Sequence, residues 1–308
     1  MDNSPMLHLK NAHFEVALQP ACGGAIRYFR SVVAGKTIDW LRPSDAKSCS
    51  KATDVLQLAA FSLFPFSNRI ANNQLTVDEH HYPLDSNVNG WPQIIHGHAW
   101  LGQWRVVDAD EHKVKLAFSF PHDSTMTCGW PFAYEAEQTF ELVEEGLVVT
   151  LKITNTSNQT VPVGMGYHPY FPLEEAMMVQ LNTKGIWLTD KAHIPLEHHQ
   201  EHGAIEALNL GTLPPDLDHN FTHWDGKAQL YWPSHGGRLN LTASDLFRNL
   251  VVFSPSEEVF FCLEPVTHTT NSFNHPDLPD ALGGTQMLAP NESMQGDIRF
   301  YPSIVRAR

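Results

Sequence analysis

Residues 136–153 read AEQTFELVEEGLVVTLKI, with apolar side chains at nearly every second position on both sides of a polar segment. A period of two predicts β-strands that bury one face, and the Glu144-Glu145-Gly146 turn joins two such strands into an antiparallel hairpin. The same alternation recurs at residues 7–9, 14–18 and 114–120. These stretches predict a fold built from antiparallel β-strands.

The rest of the chain agrees with an all-β fold. No long stretch keeps the 3.6-residue spacing of a helix, and short helical turns are predicted only near residues 54–61 and 244–249. The 21 prolines and 19 glycines are spread throughout, and no linker, low-complexity tract or repeat marks a boundary. We therefore expect one large antiparallel β-sandwich with few short helices, residues 1–308, as a single domain.

Composition limits the classes of partner. The chain is 42% hydrophobic and 18% charged, as in globular proteins, and its net charge of −14 opposes binding to nucleic acid or to an anionic membrane. We expect no secretory leader and no membrane span. The cysteines are scattered without a Cys-x-x-Cys motif, which favours a reducing, cytoplasmic location over a disulfide framework or a zinc ribbon. They are Cys22, Cys49, Cys128 and Cys262.

Residues 163–171 read VGMGYHPYF and place His168 among glycines, a proline and aromatic residues. An imidazole titrates near pH ~6.5, so it can accept or donate a proton at neutral pH. Pro169 biases His168 toward extended backbone, while Gly164 and Gly166 permit close packing. The segment suggests a histidine that faces a small polar substrate. The alternative is a histidine packed within an aromatic cluster.

Glu264 ends the apolar run of residues 259–263. Strand alternation places Phe260, Cys262 and Glu264 on one face. Partial burial of a carboxyl group raises its pKa from about 4.3 toward a value suited to a general base. The alternative is a glutamate that leans into water at the end of a strand.

Three further segments carry candidate ligands for a sugar. Arg69, which follows Asn68 and lies close to Phe64 and Phe66, could fork hydrogen bonds onto vicinal hydroxyl groups, or could pair with a surface carboxylate. His96 follows two isoleucines and precedes a glycine, as expected where a strand ends. Asp218 could accept from sugar hydroxyls, although its segment is equally typical of an Asx turn.

The histidines also raise the question of metal binding. His96 and His98 form a His-x-His pair, but no third ligand is implied by spacing and no His-Glu-x-x-His motif is present, so metal is the lesser interpretation. A serine nucleophile elbow, a P-loop and a dinucleotide fingerprint are absent as well. Several tryptophans could stack on a sugar face, although more of them are expected in the core. They include Trp91, Trp100, Trp104 and Trp232.

Taken in order, these segments resemble the aldose 1-epimerase (galactose mutarotase) family. The strongest matches are residues 166–171, residues 264–267 and residues 271–274, and the resemblance runs from about Ser67 to Glu292. It implies a β-supersandwich with an open cleft for a monosaccharide, no metal and no organic cofactor. It also implies that Glu264 is the general base and His168 the general acid, so that His168 is protonated while Glu264 is ionised. The implied sugar contacts are Asn68, Arg69, His96 and Asp218, with Asp216 as an alternative to Asp218.

The chain departs from the family pattern at a few positions. The hexose mutarotases carry a second glycine where this chain has His98, and glycines are expected at the positions of Asn73 and Asn291, a residue type that tolerates positive φ. Mutarotases that act on hexose 6-phosphates often place an arginine shortly after the His-Gly pair. Here the nearest downstream arginine is Arg105, so a neutral sugar is favoured.

Alternatives from other classes remain open at this point. A sugar-binding protein without activity could share the scaffold, although it would not need both His168 and Glu264. A glycoside hydrolase or lyase would usually need a second carboxylate, for which Asp218 is the candidate. The preferred aldose is not determined, and the chain is expected to be a monomer or a homodimer.

Overall fold

The computed structural model describes residues 6–33, 35–44, 52–121 and 129–304. Within these ranges the chain is dominated by antiparallel strands, as predicted. The strands are β1 Leu7–Lys10, β2 Phe14–Gln19, β3 Ala25–Val33, β4 Lys36–Asp39, β5 Ala60–Leu63, β6 Gln74–Val77, β7 His80–Pro83, β8 Arg105–Ala109, β9 Lys113–Phe120, β10 Tyr134–Leu142, β11 Leu147–Asn155, β12 Val161–Val163, β13 Gly166–Pro172, β14 Met178–Leu181, β15 Gly185–Thr189, β16 Pro195–His199, β17 Leu217–Thr222, β18 Lys227–Trp232, β19 Gly237–Ala243, β20 Asn249–Ser254, β21 Phe260–Val266, β22 Gln286–Leu288 and β23 Ser293–Ile304.

Helices in the described residues are short. The α-helices are α1 Gly203–Asn209 and α2 Asp280–Gly283, and the 3₁₀ turns are Ala52–Gln57, Ala71–Asn73, Ala99–Leu101 and Ser272–Asn274. The helical turn predicted near residues 54–61 is correct only in its first half, because β5 begins within that range. The turn predicted near residues 244–249 is wrong, since a non-helical turn leads directly into β20 there. Among the described residues, none of the helices has the length and apolar character needed to cross a membrane.

Two large sheets contain most of the described strands. The eleven-stranded sheet has the order β1-β2-β3-β5-β13-β21-β20-β17-β15-β16, with β4 paired to β3. The eight-stranded sheet has the order β14-β18-β19-β23-β11-β10-β9-β8. The predicted hairpin is confirmed at the centre of the second sheet, where β10 pairs antiparallel with β11 and the register puts Phe140 opposite Val149. Both side chains are fully buried.

The eleven-stranded sheet buries side chains on both of its faces. In β13, Tyr167 and Phe171 belong to the main core, where the rings of both lie near that of Phe300 in the eight-stranded sheet. The alternate residue Tyr170 belongs to a second, smaller apolar cluster together with Cys262. Since side chains alternate across a strand, the odd-numbered residues of β13 hold the two sheets together and the even-numbered ones form a separate surface.

Two asparagines at expected glycine positions adopt the left-handed conformation. Asn73 has φ 51° and Asn291 has φ 65°. Asparagine tolerates this region better than most residues because its short side chain bonds locally. The expectation that these two asparagines stand in for glycines at positions of positive φ is therefore confirmed.

Gly97 is a position where the fold requires glycine. Its φ is +65°, and a Cβ atom would lie 2.0 Å from the carbonyl oxygen of Phe64. The same carbonyl accepts a hydrogen bond of 3.0 Å from the backbone N–H of His98. The loop that carries His96 is thus pressed directly against the backbone that follows β5.

We predict that Gly97→Ala destabilises the protein by about 2–5 kcal/mol, because left-handed strain and overpacking combine. Gly90→Ala is the matched control. Gly90 also has a positive φ, +84°, but a Cβ atom there would meet nothing within 4 Å. The control should cost only about 1–2 kcal/mol. Urea unfolding measures both variants, and equal losses would show that the close approach to Phe64 is unimportant.

Candidate active site

The pairing of β13 with β21 brings the two residues predicted as acid and base together. The register puts Tyr170 opposite Cys262, so that His168 lies opposite Glu264. The Nε2 atom of His168 lies 3.3 Å from Oε1 of Glu264. His168 is 7% exposed and Glu264 is 3% exposed. Adjacent strands therefore hold an imidazole and a carboxyl group in contact in a nearly dry environment.

A cluster of aromatic rings restricts the imidazole of His168. The ring of Tyr170 stacks on it, with ring centres 4.7 Å apart and planes 24° apart. The ring of Phe61 also stacks on it at 4.7 Å and 28°, and lies 6.2 Å from the ring of Tyr170 and 5.5 Å from that of Trp100. Such offset stacks restrict the rotation of the His168 ring.

Arg42 packs against this cluster. Its guanidinium lies over the ring of Tyr170, 3.8 Å from the ring centre. One terminal nitrogen donates to the carbonyl oxygens of Leu56 and Leu58 at 2.6 and 2.8 Å. Arg42 thus helps to hold the ring of Tyr170, which stacks on His168.

Burial shifts the pKa of both members of the pair toward their neutral forms. Burial, together with the positive charge of Arg42, lowers the pKa of His168 from 6.5 to about 3. Burial, together with the negative charge of Asp218, raises the pKa of the Glu264 carboxyl well above 4.5. Burial thus favours a neutral imidazole and a protonated carboxyl group. The family resemblance implies the opposite distribution, with a protonated His168 and an ionised Glu264.

Asn68 and His96 are locked to each other through their backbones. The backbone N–H of Asn68 donates to Nδ1 of His96 at 3.0 Å, and the N–H of His96 donates to the carbonyl of Asn68 at 2.8 Å. Both residues have positive φ, 58° and 60°, a backbone region that asparagine and histidine adopt more readily than most residues. Since Nδ1 accepts, the neutral ring of His96 carries its proton on Nε2 and can donate there. The rings of His96 and His168 have centres 5.5 Å apart.

Arg69 and Asp218 lie beside the pair. Nη1 of Arg69 donates to Oδ1 of Asn68 at 3.0 Å and lies 3.9 Å from Oδ2 of Asp218. The same carboxylate oxygen is 2.9 Å from Nδ1 of His193. The charges of Arg69 and Asp218 both act on Glu264, in opposite directions. The structure thus gathers all four predicted sugar contacts around His168 and Glu264.

Asp216 and Asp218 differ in their position relative to the pair. Asp218 lies opposite Phe253 in the pairing of β17 with β20, in the row of side chains that leads to Cys262 on β21. Asp216 precedes the strand, has φ 58°, and accepts a hydrogen bond from the backbone N–H of Ser256. Asp216 therefore supports a turn, while Asp218 faces the same side as Glu264.

The metal interpretation of the His-x-His pair is not supported, because the two rings have different neighbours. The ring of His96 lies near His168, whereas that of His98 lies 4.6 Å from the ring of Phe120. A different group could hold a cation. Ligand atoms of His168, Cys262 and Glu264 all lie within 4.8 Å of one another.

Several residues of the site were not identified from the sequence. Tyr170 lies two residues from His168, and strand alternation would have found it, as it placed Cys262 on the face of Glu264. Phe61, Arg42 and His193 come from other segments and reach the site only through the fold. No local pattern marks them.

A buried acid–base pair with polar side chains beside it, built on the largest sheet of a β-protein, defines a candidate enzyme that acts on a small hydroxylated substrate. The sequence profile of the family described as aldose 1-epimerase matches residues 5–301, so the chain belongs to that family.

Known relatives agree with this assignment across nearly the whole chain. An uncharacterised protein of Escherichia coli K12, YphB, is 29% identical over 271 residues, covering 85% of this chain and 88% of the relative. The crystal structure of a provisionally assigned aldose 1-epimerase from Escherichia coli K12 superposes with a TM-score of 0.85 at 25% identity, covering 98% and 99% of the two chains. A galactose mutarotase-like protein from Clostridium acetobutylicum gives a TM-score of 0.84 at 22% identity over 97% and 95%, which shows the shared fold.

Proposed function

We propose that this protein is an aldose 1-epimerase that interconverts the α and β anomers of a free monosaccharide. The observation that carries the proposal is the contact between His168 and Glu264, buried side by side on β13 and β21. Ring opening of an aldose needs a base at one oxygen and an acid at another, and water at neutral pH supplies neither strongly. Each positioned proton transfer typically contributes about 10²–10⁴ in rate.

In the proposed reaction, Glu264 accepts the proton of the C1 hydroxyl while His168 donates a proton to the ring oxygen. The C1–O5 bond breaks, its electron pair goes to the ring oxygen, and C1 becomes the carbonyl carbon of the open-chain aldehyde. Rotation about the C1–C2 bond presents the other face of the carbonyl group. The two residues then exchange roles, and the ring closes as the other anomer.

The cycle needs one proton on the pair. Ring opening requires that proton on His168, whereas burial favours it on Glu264. The nearest atoms of the two side chains are 3.3 Å apart, which is short enough for a direct proton transfer between them. The positive charge of Arg69 favours the ionised carboxylate of Glu264 and supports this transfer.

The surrounding polar groups suit a neutral sugar. Asp218 can accept from a hydroxyl group, while Arg69 and His96 can donate to hydroxyl oxygens and Asn68 holds both donors in place. Among the described residues, the cations whose charge acts on the pair are Arg42 and Arg69, and both already have partners. A phosphate group would need cations available for charge-assisted bonds.

The arginine considered for a phosphorylated sugar lies elsewhere. Arg105 is exposed on β8, the edge strand of the eight-stranded sheet, whereas the pair lies in the other sheet. We therefore favour a neutral aldose, and a hexose 6-phosphate is the alternative substrate. A cytoplasmic location and a monomeric or dimeric state remain predictions from the sequence.

We predict that Glu264→Gln lowers the rate of anomerisation by about 100-fold or more, because the base is lost while the shape of the side chain is kept. The apparent affinity for the sugar should change little. Polarimetry of freshly dissolved α-D-glucose and α-D-galactose measures the rate. Glu257→Gln is the control, since Glu257 is exposed and lies outside β21.

Two outcomes of this assay would count against the proposal. Near-wild-type turnover by Glu264→Gln would remove Glu264 from the mechanism. A wild-type protein that accelerates neither of these sugars, nor hexose 6-phosphates or pentoses, would instead be a sugar-binding protein. Faster turnover of hexose 6-phosphates than of neutral sugars would contradict only the assignment of a neutral substrate.

We predict that Asp218→Asn raises the KM for the sugar by about tenfold, because the charged acceptor becomes a neutral amide and its hydrogen bond to a sugar hydroxyl is weakened. Asp216→Asn is the matched control. Its amide oxygen can still accept the hydrogen bond from Ser256, so KM should stay near the wild-type value. Initial rates over a range of sugar concentrations decide the question. Equal effects of the two substitutions would show that Asp218 does not contact the sugar.

A further inference from the structure

Cys262 is a buried thiol that the proposed mechanism does not use. It lies on β21 two residues before Glu264, and strand alternation puts both side chains on one face. It is 0% exposed. Its ligand atom and those of His168 and Glu264 all lie within 4.8 Å of one another. Neighbouring strands thus assemble a thiol, an imidazole and a carboxyl group around one point.

These three donors are of the types that bind Zn²⁺. Zinc takes cysteine sulfur at ~2.3 Å and histidine nitrogen or carboxylate oxygen at ~2.0–2.2 Å, often with three protein ligands and one open position. Donors around one zinc ion therefore stand about 3–4 Å apart, so the spread in the structure needs only small movements of the side chains.

An unpartnered polar atom belongs to this group of donors. Oε2 of Glu264 is buried without a hydrogen-bond partner in the described part of the chain. Buried polar atoms are normally satisfied, and unsatisfied ones often mark a ligand site. A cation bound by the carboxylate of Glu264 would give its Oε2 atom a partner.

We infer that His168, Cys262 and Glu264 form a binding site for a thiophilic divalent cation such as Zn²⁺, and that this cation excludes the sugar from the pair. Binding releases the thiol proton of Cys262 and the proton shared by the pair to the solvent. The thiolate and the carboxylate then balance the two charges of the ion, which suits a buried site. Mg²⁺ and Ca²⁺ prefer oxygen ligands and should bind poorly.

These three ligands have the features of an inhibitory metal site and lack those of a site that holds a metal permanently. Histidines that hold a permanent metal usually donate their second ring nitrogen to a carboxylate or carbonyl group, and this support raises affinity by about 10–100-fold. The described residues offer no such partner to the Nδ1 atom of His168. Moreover, a cation on His168 and Glu264 would block the proton transfers. The exclusion of sugar rests on the proposed function, whereas binding of the cation does not.

Cobalt absorption tests the site directly. Co²⁺ serves as the probe because a thiolate ligand gives a charge-transfer band in the near ultraviolet, which histidines at the surface cannot produce. We expect this band on addition of Co²⁺ to the wild-type protein, its displacement by Zn²⁺, and its loss in Cys262→Ser. Cys22→Ser is the control and should keep the band, since it removes another buried thiol.

Inhibition provides the second readout. Zn²⁺ should inhibit anomerisation competitively with the sugar, a chelator should reverse the effect, and Cys262→Ser should raise the inhibitory concentration by about tenfold or more, each variant being measured against its own activity. The absence of a cobalt–thiolate band, or a band that persists in Cys262→Ser, would overturn the inference. A protein with the band but without mutarotase activity would refute the proposed function and leave the metal site standing.

Discussion

The contact between His168 and Glu264, 3.3 Å apart in a nearly dry environment, is the constraint on which the rest of the site depends. Burial of two ionisable groups costs little free energy only if the groups are neutral or paired with each other. The sheet meets this condition by placing them opposite each other on adjacent strands. The register of β13 and β21 is therefore a chemical requirement as well as a structural one. A slip of one residue would turn one of the two groups into the main core.

The two faces of the eleven-stranded sheet have different roles. One packs against the eight-stranded sheet, and the other carries the residues of the candidate site. Odd-numbered residues of β13, such as Tyr167 and Phe171, hold the two sheets together. Even-numbered residues carry His168 and the ring of Tyr170 that supports it. Beside the second face, Asn68 and His96 both have left-handed backbones and bind each other. The packing that holds the two sheets together is thus separate from the residues of the site.

Much of the fold was predictable from local pattern, and the site was predictable only in part. The alternation at residues 136–153 predicted the hairpin, because the side-chain period is a local property. Alternation likewise placed Cys262 beside Glu264. That His168 meets Glu264 did not follow from either segment alone, and the order of motifs shared with a known family was needed to join them. Arg42, Phe61 and His193 were missed because their roles arise from long-range packing.

The ionisation of the pair was also beyond sequence reasoning, because burial determines it. Family resemblance implied a protonated His168, whereas the structure favours a neutral imidazole with its pKa lowered to about 3. The most direct test is an NMR titration of the His168 ring in the wild-type protein, with His168→Gln to assign its signals. The account predicts a neutral imidazole throughout about pH 5–8, the range in which histidine usually titrates. A ring that is protonated in this range, or a midpoint near its ordinary 6.5, would contradict it.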